Sequence, residues 1–328
     1  MAKASPHLSI VVPSRANNFL LLEQFISCLK DQIFQDFELL LVCDRAFTAE
    51  ERKDFQSQIA SFAGPEQEKK IRLLSHQNTD FDLHHQGGAS YVRNFGIKAA
   101  NGNYLQLFDD DNAFDPDYLA KAISLHEKYS QLYGKEVFIT PSLMRRNTDK
   151  VQNQGFSGYN YRLARPRIHF LAPGDEFAEI KMFSGNGIFG KAAIMKKVLY
   201  DEEIAQIAED LDFVYSIWEQ GTPILVFKSL KVRHQERDKT FLEEARIGTP
   251  KSAEQKIKNL FLWVKKHGNY WQKLIFFFWS SWGICGWLAV KAFFHGGEAK
   301  WQIIQGLIKG YFKGWKMILK TLFISEKF

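Results

Sequence analysis

A chain of 328 residues, 45% apolar and 24% charged, is long enough for one large domain or a domain with an appendage, and its composition excludes global disorder. The formal net charge of +6 suits nucleic acid, anionic lipid or a phosphate-bearing substrate without choosing among them. Cys28, Cys43 and Cys285 are odd in number, far apart and not in metal spacing, which fits a reducing compartment, and the N-terminus lacks the apolar core of a secretory leader.

The first expected element is a buried strand over Leu8 to Pro13 (LSIVVP), followed by a helix over Asn18–Gln32 and a second apolar strand, Phe37 to Asp44. Ile71–His76 reads as a third strand. Ser90–Ala100 reads as a helix stopped by Asn101-Gly102. The next strand, YLQLF, runs into a helix with Asp115 as N-cap, Pro116 in the first turn and Gly134 at its end. Tyr159 to Glu179 reads as irregular. A helix over Asp201–Gly221 and a strand over Pro223–His234 follow. Strands alternating with helices, with continuous apolar runs, predict an α/β domain whose mainly parallel sheet is covered on both faces. After about Ala253 carboxylates nearly vanish while Trp, Phe, Lys and Gly concentrate; the expected domains are 1–245 and 253–328, with the boundary between His234 and Ala253.

Asp109, Asp110 and Asp111 sit together where an apolar strand ends. Like charges repel, and buried carboxylates cost several kcal/mol unless paired. In open α/β sheets ligands bind beyond the carboxyl ends of strands, and a hard divalent cation, Mg²⁺ or Mn²⁺, accounts for clustered carboxylates there. A solvated acidic turn is the plainer alternative.

Four segments, LSIVVPSRANN, ELLLVCD, GGASYVRNFGIKAANGNYLQLFDDDN and AEDLDFVYSIWEQGTPILVFKSLKVRH, span Leu8 to His234, and together they resemble the family-two glycosyltransferases of the GT-A fold. The resemblance implies a nucleotide-diphospho-sugar transferase with a mostly parallel, Rossmann-like sheet. It implies that Pro13 and Ser14 begin the nucleotide loop, with Arg15 able to face the diphosphate. Asp44 would contact the base, and Arg93 with Asn94 would lie over the nucleotide. Asp109 and Asp111 would be the Asp-x-Asp motif, Asp109 near the ribose and Asp111 on the metal, with Asp110 in the variable middle position on the donor side. Glu209-Asp210 occupies the place of the family's Glu-Asp pair, which makes Asp210 the base for an inverting transfer and Glu209 an acceptor-side neighbour; Asp212 is a competitor. His234 falls where several members have a metal or diphosphate contact. Gly185, Asn186 and Gly187 fit the glycine-bearing segment beneath the acceptor. Lys191 stands where many members carry Arg, which weakens any inference of phosphate contact there. His76, His84, His85 and His169 have no comparable support.

Leu274–Phe294 is long enough to approach a membrane span, yet Trp279, Trp282 and Trp287 are spread along it, which favours lying in the interface. Trp301–Phe323 is amphipathic, with Lys309, Lys313, Lys316 and Lys320 at helical spacing, a pattern suited to anionic lipid. The alternatives are packing on the catalytic core or a homo-oligomer. The GLIKGYFKG stretch loosely resembles rhamnosyltransferase-like members. The expectation is therefore a metal-dependent inverting enzyme at the cytoplasmic face of the membrane. It would move sugar from a UDP- or dTDP-sugar to a lipid-linked glycan in polysaccharide assembly. The rivals are a non-catalytic membrane module with a degenerate fold, and a nucleotidyltransferase, which VVPSRANN disfavours because it has no glycine. A nucleic-acid partner is not expected, since the basic bias lies in the tail.

Overall fold

The N-terminal apolar run becomes β1 (Leu8–Ser14), the strand around which a ten-stranded sheet is built. The computed structural model describes residues 6–15, 19–43, 47–75, 88–145, 148, 150–204, 206–234 and 240–323. Asp44, His76, His84 and His85 lie outside these residues.

On one side β1 pairs in parallel with β2 (Phe37–Cys43), from Leu8 opposite Phe37 to Ser14 opposite Cys43, and β2 with β3 (Ile71–Ser75). On the other side it pairs in parallel with β4 (Tyr104–Leu107). Both faces of β1 and β2 are buried, which is why these strands are apolar throughout rather than alternating. One charge enters this region. The Glu38 carboxylate accepts hydrogen bonds from Ser9 (2.7 Å), Arg72 (2.7 Å) and the Asn101 amide (2.7 Å). Burial alone would raise its pKa; these donors hold it below the usual carboxylate range.

Helices α1 (Phe19–Lys30), α2 (Ala49–Ala63) and the short α3 (Pro65–Glu68) follow the first two strands. Thr48 and Glu51 form a reciprocal capping box on α2. α4 (Ala89–Ala99) lies against the sheet at Gly96, where a Cβ would come within 2.4 Å of Val11 Cγ1 and 2.9 Å of Val42 Cγ2. That close approach brings the buried Arg93 and Asn94 of the same helix down towards the strands.

After β4, a short strand not expected from the sequence, β5 (Asn112–Phe114), leads to α5 (Tyr118–Tyr133). The helix begins later than expected. Asp115 is not its N-cap: its carboxylate accepts from Arg233 (2.8 Å) and its carbonyl from Gln32 (2.9 Å), while Asp117 occupies the cap position without a side-chain cap bond. β6 (Phe138–Arg145), β7 (Val151–Asn153), β8 (Phe156–Asn160), β9 (Arg165–Ile168), β10 (Phe177–Ile180) and β11 (Phe189–Lys191) come next. The span expected to be irregular thus holds β9, β10 and the end of β8; β8 and β9 form a separate two-stranded ribbon. The short helix α6 (Ala192–Val198) precedes α7 (Glu209–Glu219), which covers only half the length expected for it. β12 (Ile224–His234) completes the sheet, whose order is β10-β12-β6-β11-β4-β1-β2-β3. β12 runs parallel to β6, and the short β10, β11 and β5 pair antiparallel. The long ladders are parallel, as the apolar runs predicted.

Two compact units are present. The first comprises residues 1–157, 168–205 and 209–236; the second comprises 158–167, 206–208 and 237–328. The second therefore takes the β8–β9 turn and three residues before α7 in addition to the tail.

Within the second unit, α8 (Phe241–Glu244) precedes α9 (Pro250–His267), whose start is fixed by Thr249 bonding the Ser252 amide and by Pro250 in the first turn. α10 (Tyr270–Ile275) runs through a π-helical turn, Phe276–Ser280, into α11 (Ser281–His295). α12 (Lys300–Phe323) then packs on α9 through Gly306, Gly310 and Gly314. A Cβ on them would meet Pro250 O at 2.2 Å, Glu254 O at 2.4 Å and Phe261 Cδ2 at 2.3 Å. Four-residue spacing puts the three glycines on one stripe, so the helix axes approach until backbone touches backbone. Tyr161 donates its hydroxyl to His267 O (3.0 Å), Ser280 Oγ donates to Tyr161 O (2.7 Å), and Tyr159 stacks on Trp263. Trp271, Phe278, Trp279, Trp282, Trp287 and Phe294 are exposed. Among the described residues one stretch, Tyr270–His295, is long and apolar enough to cross a membrane.

Candidate active site

β4 delivers the chain through buried Phe108 to Asp109, Asp110 and Asp111 at its carboxyl end. β5 then turns back antiparallel to the end of β12, setting Asn112 opposite His234 in the ladder. This pairing brings a residue 123 positions away onto the carboxylates: His234 Nε2 lies 3.3 Å from Asp111 Oδ2. Asp109, Asp111 and His234 each offer one ligand atom, all within 4.8 Å of one another. Asp111 Oδ1 is buried with no hydrogen-bond partner among the described residues. Two carboxylates and an imidazole, with a buried oxygen left over, are a donor set that fits a divalent cation, and the imidazole suits Mn²⁺ better than Mg²⁺.

Asp110 points elsewhere. Ser14 Oγ donates to its Oδ2 at 2.6 Å, which ties the end of β1 to the acidic loop. Burial pushes the Asp110 carboxyl up to about 6, against the Ser14 bond. Pro13 is half-buried and Arg15 exposed at the same strand end.

Arg93 is the hub. Its guanidinium is buried and lies 3.0 Å from Asp109 Oδ1, 3.2 Å from Asp210 Oδ1 and 3.4 Å from Glu209 Oε1, with the Tyr200 ring beneath it at 5.5 Å. A planar fork that donates in several directions suits this task; a lysine would offer a single point charge. Asn94, expected over the nucleotide, is instead fully engaged in structure. Its side chain exchanges hydrogen bonds with the Tyr200 backbone (2.7 and 2.9 Å) and donates to Glu202 (2.9 Å).

Glu209 and Asp210 open α7. Tyr200 Oη lies 3.3 Å from Asp210 Oδ1, and its ring stacks on Phe213 with centroids 4.1 Å apart. Burial pushes the Asp210 carboxyl up to about 8; Arg93 pulls it down, while Glu209 and Asp109 add to the rise. Gly185, with φ 58°, abuts this group: a Cβ there would lie 2.3 Å from Asp210 Oδ1. Asp212, the competing carboxylate, is fully buried.

The Gly185-Asn186-Gly187 segment is fastened to the acidic loop rather than standing apart from it. Asn186 and Asn112 bond reciprocally through their amides, Asn186 Oδ1 accepts from the Asp109 amide (3.2 Å), and the Gly187 amide donates to Leu107 O (2.7 Å). Lys191 donates to the Tyr104 hydroxyl (3.0 Å), at the opposite end of β4 from the aspartates. Tyr200 and Tyr118, whose hydroxyl reaches Gly187 O at 3.2 Å, are site-building residues with no motif to announce them, and Asn112, which closes the acidic motif, had no role assigned from the sequence.

The segment leading into α7 is strained. Ile207 and Ala208 have φ of 65° and 70°, the left-handed region that a β-branched residue rarely enters. Such residues cost of order 1–3 kcal/mol each.

A mixed α/β sheet with carboxylates at its strand ends is the GT-A glycosyltransferase fold, and solved structures of that fold superpose on the chain. S. aureus TarS 1-349 in complex with UDP-GlcNAc matches with a TM-score of 0.55 at 13% identity, over 97% of this chain and 75% of that one. GalNAc-T7 with UDP, GalNAc and Mn²⁺ matches with a TM-score of 0.60 at 14% identity, over 82% of this chain and half of that one. The chain spans 39% of the longer TarS structure. The family model described as Glycosyl transferase family 2 matches residues 9–174, and the chain belongs to that family. WcaA of Escherichia coli (strain K12), named for a glycosyl transferase of colanic acid biosynthesis, is 23% identical over 237 residues, 71% of this chain and 74% of that protein.

Proposed function

We propose that the protein is an inverting, metal-dependent glycosyltransferase that moves a sugar from a UDP- or dTDP-sugar to a lipid-linked glycan acceptor. The observation that carries the reading is the Arg93 fork joining Asp109 to the Glu209-Asp210 pair, beside the Asp109, Asp111 and His234 cluster. In this reading Asp111 and His234 hold the cation with Asp109, and the ends of β1 and β4 receive the nucleotide. When bound, the cation neutralises charge on the departing diphosphate. Asp210 takes the proton of the acceptor hydroxyl as its oxygen attacks the anomeric carbon. The bond to the nucleoside diphosphate breaks on the opposite face, so the configuration inverts with no covalent enzyme intermediate. A base whose proton affinity is raised by burial, yet kept oriented by Arg93 and Tyr200, is suited to that step.

The UDP-GlcNAc in TarS and the UDP and Mn²⁺ in GalNAc-T7 support a nucleotide-sugar donor and a divalent cation. The name of WcaA supports a role in polysaccharide biosynthesis. The exposed tryptophans of α10, α11 and the turn between them, with the lysines of α12, support an anionic membrane surface as the place of action.

Calorimetric titration of UDP, dTDP and their sugars, with and without Mn²⁺, tests the reading. Binding of one nucleotide that needs the metal and is lost in Asp111→Ala is the expected result. No binding by any of them would overturn it.

A further inference from the structure

The three residues before α7, 206–208, belong by packing to the helical unit rather than to the sheet. Their anchor there is Asn259 on α9. Its side chain is 3% exposed, and its Nδ2 donates to Gln206 O and, at 2.9 Å, to Ile207 O. Because both acceptors are carbonyls, only the nitrogen can face them, and the amide's orientation is determined. Oδ1 has no hydrogen-bond partner among the described residues, so the two bonds to this turn are what Asn259 makes.

These bonds fall on the two consecutive strained positions or beside them. Ile207 and Ala208 hold left-handed backbone without glycine, and Glu209, the next residue, is the first of α7. The direction in which α7 leaves the turn, and with it the Asp210 side chain, is set by those dihedrals. The upstream end of the same loop is tied separately: Ser90 Oγ donates to Ile204 O (2.7 Å), and Asn94 grips Tyr200. A strained conformation persists only where its surroundings over-determine it. Here Asn259 supplies that hold on the turn itself.

We infer that Asn259 is a positioning residue for Asp210: it holds the left-handed turn at 206–208 and so fixes the first turn of α7. This rests on the reading of Asp210 as the base, but the turn can be tested apart from it.

The test is hydrogen exchange on the full-length chain, read at the amides of residues 212–215, the first in α7 that intrahelical bonds protect. Asn259→Asp keeps the side chain's shape and replaces the donor with an acceptor. It is expected to speed exchange there about tenfold or more, with β1, β4 and α12 unchanged. Adding Ile207→Gly with Ala208→Gly, which makes the turn strain-free, is expected to return exchange to near the wild-type rate. A general loosening of the helical unit would speed α12 as well and would gain nothing from the glycines. Wild-type exchange in Asn259→Asp, or fast exchange that the glycines leave untouched, overturns the inference. Asn259→Ala serves as the second variant if the aspartate disrupts folding. Asp210→Asn reports on the underlying reading alone: sugar transfer that survives it removes the base assignment, whatever the exchange experiment gives.

Discussion

Arg93 sits among three carboxylates whose mutual repulsion it offsets, and that arrangement has consequences that separate stability from catalysis. Arg93→Met leaves Asp109, Glu209 and Asp210 uncompensated in a buried setting and is expected to cost about 3–5 kcal/mol in denaturant unfolding. Asp210→Asn keeps the shape of the protonated carboxyl and cannot accept a proton, so it is expected to abolish transfer while leaving nucleotide binding intact and the melting temperature no lower. With its proton held up to about 8, the Asp210 base is ionised only as the pH rises. If Asp210 is the base, kcat/KM, which reports groups of the free enzyme, increases with pH and levels off above that value. The Tyr200 hydrogen bond favours the ionised form, so Tyr200→Phe should shift the inflection to higher pH, a change readable in a pH–rate profile. The carboxylates themselves were legible in the sequence, because motif spacing is tied to strand ends. Arg93 was legible as a residue expected over the nucleotide, but not as the link among three carboxylates. Tyr200 and Asn259 were not legible at all, since they act through contacts of 10 and 53 residues' separation and through a backbone conformation that Ile and Ala do not advertise.

Elements were read well where apolar periodicity was unbroken, as in β1, β2, α4 and α12, and poorly where one residue type does two jobs. Asp115 looks like a helix cap by its place before Pro116, but its pairing with Arg233 moves the helix start to Tyr118. Residues 201–208 have a helical pattern of polar and apolar residues, yet residues 201–204, held at Asn94 and Ser90, and residues 206–208, held at Asn259, are not helical. The glycines of α12 were visible, and their partner was not. Gly306, Gly310 and Gly314 meet α9 backbone or ring, whereas Gly286 on α11 has open space around its Cβ direction. Gly310→Ala is therefore expected to lower the melting temperature, and Gly286→Ala to leave it unchanged or stabilise by up to about 1 kcal/mol. Equal effects of the two substitutions would mean that α12 does not rest on that stripe.

For the whole molecule, the exposed tryptophans make a prediction that does not depend on the chemistry at the strand ends. Trp279→Asp combined with Trp282→Asp is expected to stop the protein sedimenting with phosphatidylglycerol-containing vesicles while leaving nucleotide binding as in the wild type. Sedimentation of the unaltered protein should weaken at ~1 M salt, because the lysines of α12 act through a screened field. Point substitutions are the right instrument. Cutting the chain at 236 would also remove the helix that anchors Gln206 and Ile207, and would confuse loss of a surface with loss of a turn.

That shared turn also orders events during synthesis. The chain emerges from its N-terminus, so the strands, the acidic loop and Asp210 are made before α9, and Gln206 waits 53 residues for the amide that grips it. The nascent protein can assemble its sheet early, but the left-handed approach to α7 has nothing to lean on until the tail follows. A ribosome stalled short of residue 259 would carry every residue of the acidic cluster and still lack the side chain that grips the turn before Asp210. With Asp210 read as the base, competence waits for α9, which is made after every residue of the acidic cluster.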